Sequence, residues 1–308
     1  MTAATPGVGR RTVIAGAGAA FVLWAIGKNA YGQSDIREVL HDRFLKNVSL
    51  NDLGQTQLGR GLETSFIASS GGRYLNPELQ AAVTDFAQPL FLNANRHSFP
   101  WHVTVVDNDI PAAWSLPGGH VVIYKGLLRY LDSPDELAMA IAHVMAHAEN
   151  ADLTRSIADQ EFAASLDDMT AQKLLRVVEA DNNATILSGN ILTALRSALN
   201  ERVRTGYRLE YELAADQTAA EIMARSGYAA SAGARMFEVI ANLVPEGANG
   251  TTCLYGGKKT NLERVAMLAR LPGKVAESAP SEAPFARIKS MFPTRRHTSH
   301  TNRIGAGS

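Results

Sequence analysis

The chain has 308 residues, 46% of them apolar and 7% aromatic, enough to bury one large core or two small ones. Thirty basic and thirty acidic side chains cancel, which excludes the basic footprint of a nucleic-acid-binding protein and leaves no acidic tail. A single cysteine, Cys253, excludes an internal disulfide and a cysteine-built zinc site, and reads as a small hydrophobe.

At the N-terminus, Arg10 and Arg11 precede an apolar run from Thr12 to Gly27. The run falls short of the ~20 apolar residues of a spanning helix. It suits the apolar region of an export signal, with Ala30 and Gly32 as small residues before a cleavage point at Gln33. Residues 1–32 are therefore expected to be an export signal and 33–308 the body of the protein. The alternative is a membrane anchor formed by residues 12–27. Both readings put the body outside the cytoplasm, as a periplasmic or a membrane-anchored protein. The adjacent arginines are a loose match to a twin-arginine signal.

From Ser34 to about Asn95 the pattern is helical. Ser70-Gly-Gly marks a turn, and Pro77 opens a second helix behind Asn76 as its cap. His102-Val-Thr-Val-Val and Val121-Val-Ile-Tyr read as strands, separated by the turn signals Asp107-Asn-Asp-Ile-Pro and Pro117-Gly-Gly. Ser133-Pro-Asp-Glu136 is a capping box that starts a helix running to about Asn150. From Asp152 to Ser226 glycine and proline are nearly absent, which predicts two or more long helices broken near Ser188-Gly-Asn and ended by Gly227. Ser231 to Leu243 is a further helix. From about residue 272 the prolines at 272, 280, 284 and 293 predict an extended, loop-rich tail. The expected class is α+β, predominantly helical, with a small β-sheet.

The helix after Ser133 carries Ile141-Ala-His-Val-Met-Ala-His147. Histidines four apart lie about 40° apart around the axis and one turn along it, so His143 and His147 can both reach one tetrahedral zinc ion. Ordinary helix histidines have the same spacing. Glu212 and Asp216, also four apart, offer a carboxylate ligand and a carboxylate to accept a free imidazole N–H. The competing reading is a solvated acidic face shared by Glu210, Glu212 and Asp216. Beside a histidine pair at ligand spacing, the metal reading gains weight.

The run Trp114-Ser-Leu-Pro-Gly-Gly-His-Val-Val-Ile-Tyr, the lead Asp132-Ser-Pro-Asp-Glu-Leu-Ala into the histidine helix, Glu212-Leu-Ala-Ala-Asp216 followed by Ser226-Gly-Tyr, and the tail His297-Thr-Ser-His-Thr-Asn-Arg-Ile occur in one order. With Asp52-Leu-Gly and Phe99-Pro-Trp-His upstream, the chain resembles the gluzincin-type zinc metallopeptidase family of the HtpX, BepA and CAAX prenyl protease relatives, over residues 50 to 304. The resemblance implies a zincin-like metallopeptidase domain. In it His143, His147 and Glu212 bind Zn²⁺, Asp216 braces a ligand histidine, and His297 is a possible fourth ligand. Trp114, Ser115, Gly118 and Gly119 belong to the substrate strand and its turn.

The departures matter as much. Val144 stands where the H-E-x-x-H pattern of the family has its catalytic glutamate, Ala112-Ala-Trp-Ser replaces Asn-Ala-Phe-Ala, and Thr298 replaces a proline. A general base contributes about 10²–10⁴-fold, and valine can neither take nor return a proton. Glu149 lies about 140° further round the helix than Val144, and Glu136 about 10 Å toward its start. His120 and His300 are outside candidates for a base; His41, His97 and His102 are expected to fill ordinary surface or core roles.

Three functions follow. The first is an exported, zinc-binding pseudopeptidase that acts on or holds unfolded or envelope polypeptides. The second is an active zinc metalloendopeptidase with another base, and the third a metal-free structural protein. The sequence sets no oligomeric state and gives no sign of a nucleic-acid partner.

Overall fold

The computed structural model describes residues 52–157, 206–243, 258–271 and 281–293. The expected export segment, the break near Ser188, Cys253, His297 and His300 lie outside the described residues. Helix α1 (Asp52–Ser69) buries Leu58, Leu62 and Phe66, four apart, along one face. Helix α2 (Pro77–Leu92) starts as expected, with Asn76 Oδ1 accepting the Leu79 N–H at 3.0 Å. Its buried stripe of Leu79, Val83, Phe86 and Leu90 faces the sheet and a late helix.

Three strands form that sheet: β1 (His102–Val106), β2 (Ala113–Leu116) and β3 (His120–Tyr124), in the order β1-β3-β2. β1 runs parallel to β3, and β2 runs antiparallel to it. Runs of β-branched residues mark β1 and β3. β2 is four residues long, lies between Pro111 and Pro117, and carries no β-branched residue. Gly118 and Gly119 turn β2 into β3 at φ +77° and +92°. α1 lies directly on this turn: a Cβ on Gly118 would sit 2.3 Å from Thr56 Cα, and one on Gly59 1.9 Å from the Pro117 carbonyl oxygen.

Helix α3 (Pro134–Glu149) is the centre of the molecule. Ser133 Oγ accepts the Glu136 N–H at 3.2 Å. The Glu136 carboxylate reaches the Asp132 N–H at 2.6 Å, one residue beyond the partner of a standard capping box. Every residue from Glu136 to Glu149 is buried. The run of alanines makes this possible, because small side chains let neighbours close in all round. α5 (Leu209–Arg225), α6 (Ala232–Leu243) and β2 pack against α3, and the short α4 (Asp152–Ile157) follows it after Ala151 at φ 56°. α7 (Lys258–Leu268) packs on α6.

The result is a predominantly helical α+β domain with one small sheet, the class that the sequence indicates. One expectation is corrected. Within the stretch from about 272 read as loop-rich, Glu282–Met291 forms a helix, α8, packed on α2. Pro284 had counted as a breaker, but it sits in the first turn, where its missing N–H has no intrahelical partner to lose. Among the described residues no helix is long and apolar enough to cross a membrane.

The turn geometry gives a paired test. Gly72, at φ +80°, has open space around a would-be Cβ, whereas Gly118 meets backbone. Gly72→Ala is expected to cost about 1–2 kcal/mol for the left-handed backbone alone, and Gly118→Ala distinctly more, as read by urea denaturation midpoints of the two variants.

Candidate metal centre

α3 and α5 cross so that the four-residue spacings on each helix meet. His143 and His147, one turn apart on α3, place their Nε2 atoms 3.1 Å from each other. From α5, Glu212 Oε2 lies 3.3 Å from His143 Nε2 and 3.7 Å from His147 Nε2. All three side chains are buried. The competing reading of a solvated acidic face therefore applies only to Glu210, which is exposed; Glu212 and Asp216 are 2% and 0% accessible.

Each imidazole is braced from behind by a carboxylate. Asp216 Oδ1 is 2.8 Å from His143 Nδ1, and Asp152 Oδ2 is 2.7 Å from His147 Nδ1. A carboxylate at Nδ1 keeps the proton there and turns the Nε2 lone pair toward the common centre. Asp152 was not singled out in the sequence. It lies just past the end of α3, and no spacing rule connects it to His147.

Arg264 was also missed. From α7 its side chain enters the core with no accessible surface. Nε and one terminal nitrogen clasp Asp216 at 2.7 and 2.8 Å, and the other terminal nitrogen lies 3.1 Å from Glu212 Oε2. The guanidinium sits 3.7 Å over the Phe237 ring. Its contacts to both ring nitrogens of His143, at 3.2 and 3.3 Å, are near-equal, so the NH₂ lies over the ring rather than along a lone pair. The one sequence signal for Arg264 is weak: it precedes the buried Leu268 by four residues and so shares its inner face.

Charge and burial pull on these groups in known directions. Burial would raise the Glu212 and Asp216 carboxyls, but Arg264 and the histidines hold both below the usual carboxylate range. Burial would lower His147, yet its bonds to Asp152 and Glu212 prevail and raise it to about 9. In the metal-free protein a proton thus stands among the carboxylates where a cation is favoured.

The donor set fits a divalent ion. Zinc held at about 2.0–2.1 Å by tetrahedral donors sets donor–donor separations near ~3.3 Å, and the three found here are 3.1, 3.3 and 3.7 Å. Glu212 Oε2 is buried without a hydrogen-bond partner of its own, facing both imidazoles. Glu212, Asp216 and Asp152 against Arg264 leave two uncompensated negative charges once the imidazoles are neutral, the complement of one divalent cation. His143, His147 and Glu212 also form one of the clusters whose donor atoms lie close enough to hold a metal.

The remaining predicted positions fall as follows. Val144 is fully buried on α3. Ser115, Leu116 and Pro117 at the end of β2 line a small cavity together with His147, Gln55 and Tyr207, and Tyr207 stacks on the His147 ring at 4.4 Å. Trp114 is buried, and Gly118 and Gly119 form the turn described above. The structure brings neither Glu149 nor Glu136 to the centre. Glu149 caps the Asn95 and Arg96 backbone, and Glu136 holds Asp132 and Arg235. His120 pairs with Glu63 and His102 at the foot of β1 and β3. His102, 40% accessible, pairs with the same Glu63.

Comparison with known proteins agrees with this geometry. The profile of peptidase family M48 matches residues 74–306. A β-barrel assembly-enhancing protease of Yersinia pestis is 28% identical over 155 residues, 50% of this chain and 31% of that protein. Its counterpart in Escherichia coli K12 is 24% identical over 205 residues, 66% of this chain and 41% of that protein. The mitochondrial metalloendopeptidase OMA1 of Schizosaccharomyces pombe is 37% identical over 75 residues, 22% of each chain. The chain thus spans well under half the length of these relatives.

Arg264→Leu removes the counter-charge of two buried carboxylates. In chelator-treated protein it is expected to cost about 3–5 kcal/mol, measured by urea unfolding, with part of the loss recovered when zinc is added back.

Proposed function

Because the chain belongs to peptidase family M48, we propose that it is an exported, zinc-binding member whose hydrolysis is impaired and which holds unfolded or envelope polypeptides in its substrate groove. The family supplies the coarse function, that of a metalloprotease-like protein acting on polypeptides. The observation that carries the finer reading is a contrast within one helix. The buried donors His143 and His147 are arranged with Glu212 as a metal would need them, while Val144, between them, is apolar and fully buried.

In this reading His143, His147 and Glu212 hold the zinc ion, and His297 is a candidate fourth ligand from the tail. Bound there, zinc supplies Lewis-acid activation of water and of a peptide carbonyl. The residues of the chain do the rest. Asp216 and Asp152 hold the two Nδ1–H groups and so orient the imidazoles. Arg264 keeps Glu212 and Asp216 ionised in a dry core. Ser115, Leu116 and Pro117, at the end of β2, line a small cavity with His147, and in this reading an extended client segment lies beside the strand and turn formed by Trp114, Ser115, Gly118 and Gly119. Val144 offers no atom to accept a proton from water or return it to a leaving amine.

The active-peptidase alternative needs another base, and the described candidates lie elsewhere: Glu149 is bonded to Asn95, Glu136 is paired with Arg235, and His120 stands in the Glu63–His102 cluster. The metal-free alternative sets three buried carboxylates against Arg264, with only a protonated His147 to offset part of the excess negative charge. Export rests on the arginine pair and apolar run of residues 10–27 and on the small residues before Gln33.

Two measurements test the proposal. Purified protein is expected to carry zinc that depends on His143, cleave casein little or not at all, and gain at least about 10²-fold in cleavage on Val144→Glu, the low end of a positioned base. Full wild-type cleavage, abolished by chelation and not raised by Val144→Glu, would sink the impaired-enzyme reading. N-terminal sequencing of protein from the periplasm is expected to begin near Gln33; an intact start recovered from a membrane pellet supports the anchor instead.

A further inference from the structure

Away from α3 and α5, a second set of donors converges from three elements. His102 and His120 are directly paired across the parallel strands β1 and β3, so their side chains leave the same face of the sheet. Their rings stand edge to face with centroids 4.4 Å apart. Glu63, on α1, spans them: Oε1 is 2.9 Å from His102 Nε2, and Oε2 is 3.2 Å from His120 Nδ1.

Two features of the cluster leave room for a cation. The His120 side chain is 3% accessible, and neither ring nitrogen has a hydrogen-bond partner; the Glu63 oxygen near Nδ1 lacks hydrogen-bond geometry. Leaving such groups unpaired in the interior is unfavourable, because their lost hydration is not replaced. His102 has the opposite problem. Acceptors face both of its nitrogens, the Pro100 carbonyl at 2.9 Å from Nδ1 and Glu63 at 2.9 Å from Nε2. A neutral imidazole has one N–H. Giving it to Pro100 leaves the Nε2 lone pair against a carboxylate oxygen, so the arrangement takes a positive charge at Nε2, supplied either by a second proton or by a metal ion between the two atoms.

We propose that Glu63, His102 and His120 form a second zinc site, separate from the His143–His147–Glu212 centre. Two imidazoles and a carboxylate are donors that zinc accepts, and their ligand atoms lie within 4.8 Å of one another. Zinc there takes up the bare Nδ1 of His120 and the Nε2 lone pair of His102, and the Pro100 carbonyl orients the His102 ring from its far side. His102 and Glu63 are 40% and 23% accessible, so the ion has a path in and its remaining coordination faces water. α1 approaches the sheet through the bare backbone of Gly59 and Gly118. An ion one turn further along α1 fastens that helix to β1 and β3, beside the turn that leads back to Ser115 and His147.

The test counts zinc in the mature protein. Apo-protein is equilibrated with Zn²⁺ at a buffered submicromolar free concentration and analysed by mass spectrometry of the metal. Wild type is expected to hold two ions, Glu63→Gln one, and His143→Ala/His147→Ala one. In the last variant zinc should raise the melting temperature, and adding Glu63→Gln should remove that shift. A folded His143→Ala/His147→Ala protein that holds no zinc overturns the proposal. Should that variant fail to fold, Glu63→Gln/His102→Asn decides, because zinc content equal to wild type overturns the site and loss of one ion supports it. The two centres fail separately. One ion that survives Glu63→Gln but not His143→Ala overturns this second site, and the reverse pattern supports it while removing the first.

Discussion

The structure depends on keeping two carboxylates ionised where water cannot reach. Glu212 and Asp216 project from α5 into the face of α3, and neither has more than 2% of its surface exposed. A buried carboxylate without partners costs several kcal/mol and is driven to protonate. Here the two are met by His143 and His147 from α3 and by Arg264 from α7. Three helices far apart in sequence are thereby fixed in one register, because sliding any of them leaves a charge unmatched. Packing alone would tolerate such a slip on a surface as smooth as the alanine face of α3.

That alanine face is the other half of the design. A helix with no solvent-facing side is held by its neighbours, and small side chains bring their backbones close. Apolar packing, with β2 on one side and α5 and α6 on others, supplies the bulk of the stability. The polar centre costs part of it. In that setting Val144 is the locally favoured residue. It fills core volume, contributes roughly 1.5–3 kcal/mol on burial and requires no partner. A glutamate at the same position would add a further buried carboxylate to a centre already short of positive charge. On the proposed reading, valine at this position favours stability over proton transfer, the trade-off expected between a packed core and a polar active site.

Much of this was legible in the sequence because it rests on local rules. The Ser133 cap, the Asn76 cap and the β-branched runs of β1 and β3 each follow from a few adjacent residues. The four-residue spacings of His143 and His147 and of Glu212 and Asp216 marked faces that the fold does bring together. What stayed hidden depends on tertiary position. Asp152 and Arg264 reach the centre through a loop and a third helix, and their neighbours in sequence give no cue. β2 is short and lacks β-branched residues. Pro284 reads as a breaker until the helix that it opens is seen. His102 and His120 are eighteen residues apart in the numbering, and only the parallel pairing of β1 and β3 makes them neighbours.

The β2–β3 turn connects the two polar clusters physically. Pro117, at its start, lines the cavity with His147, and His120, just after it, faces Glu63. Between them Gly118 and Gly119 adopt backbone angles that side chains resist, and α1 lies against the turn with no side chain intervening. A segment clamped this closely has little freedom to relax when a client lies along β2. It offers a rigid edge rather than an adaptable one. Rigid edges suit a protein that binds extended backbone, since main-chain hydrogen bonds need fixed donors and acceptors while side-chain identity matters less. In the proposed reading such a groove retains polypeptides whether or not position 144 carries a base, because the contacts that hold a backbone and the group that moves a proton are separate parts of the site.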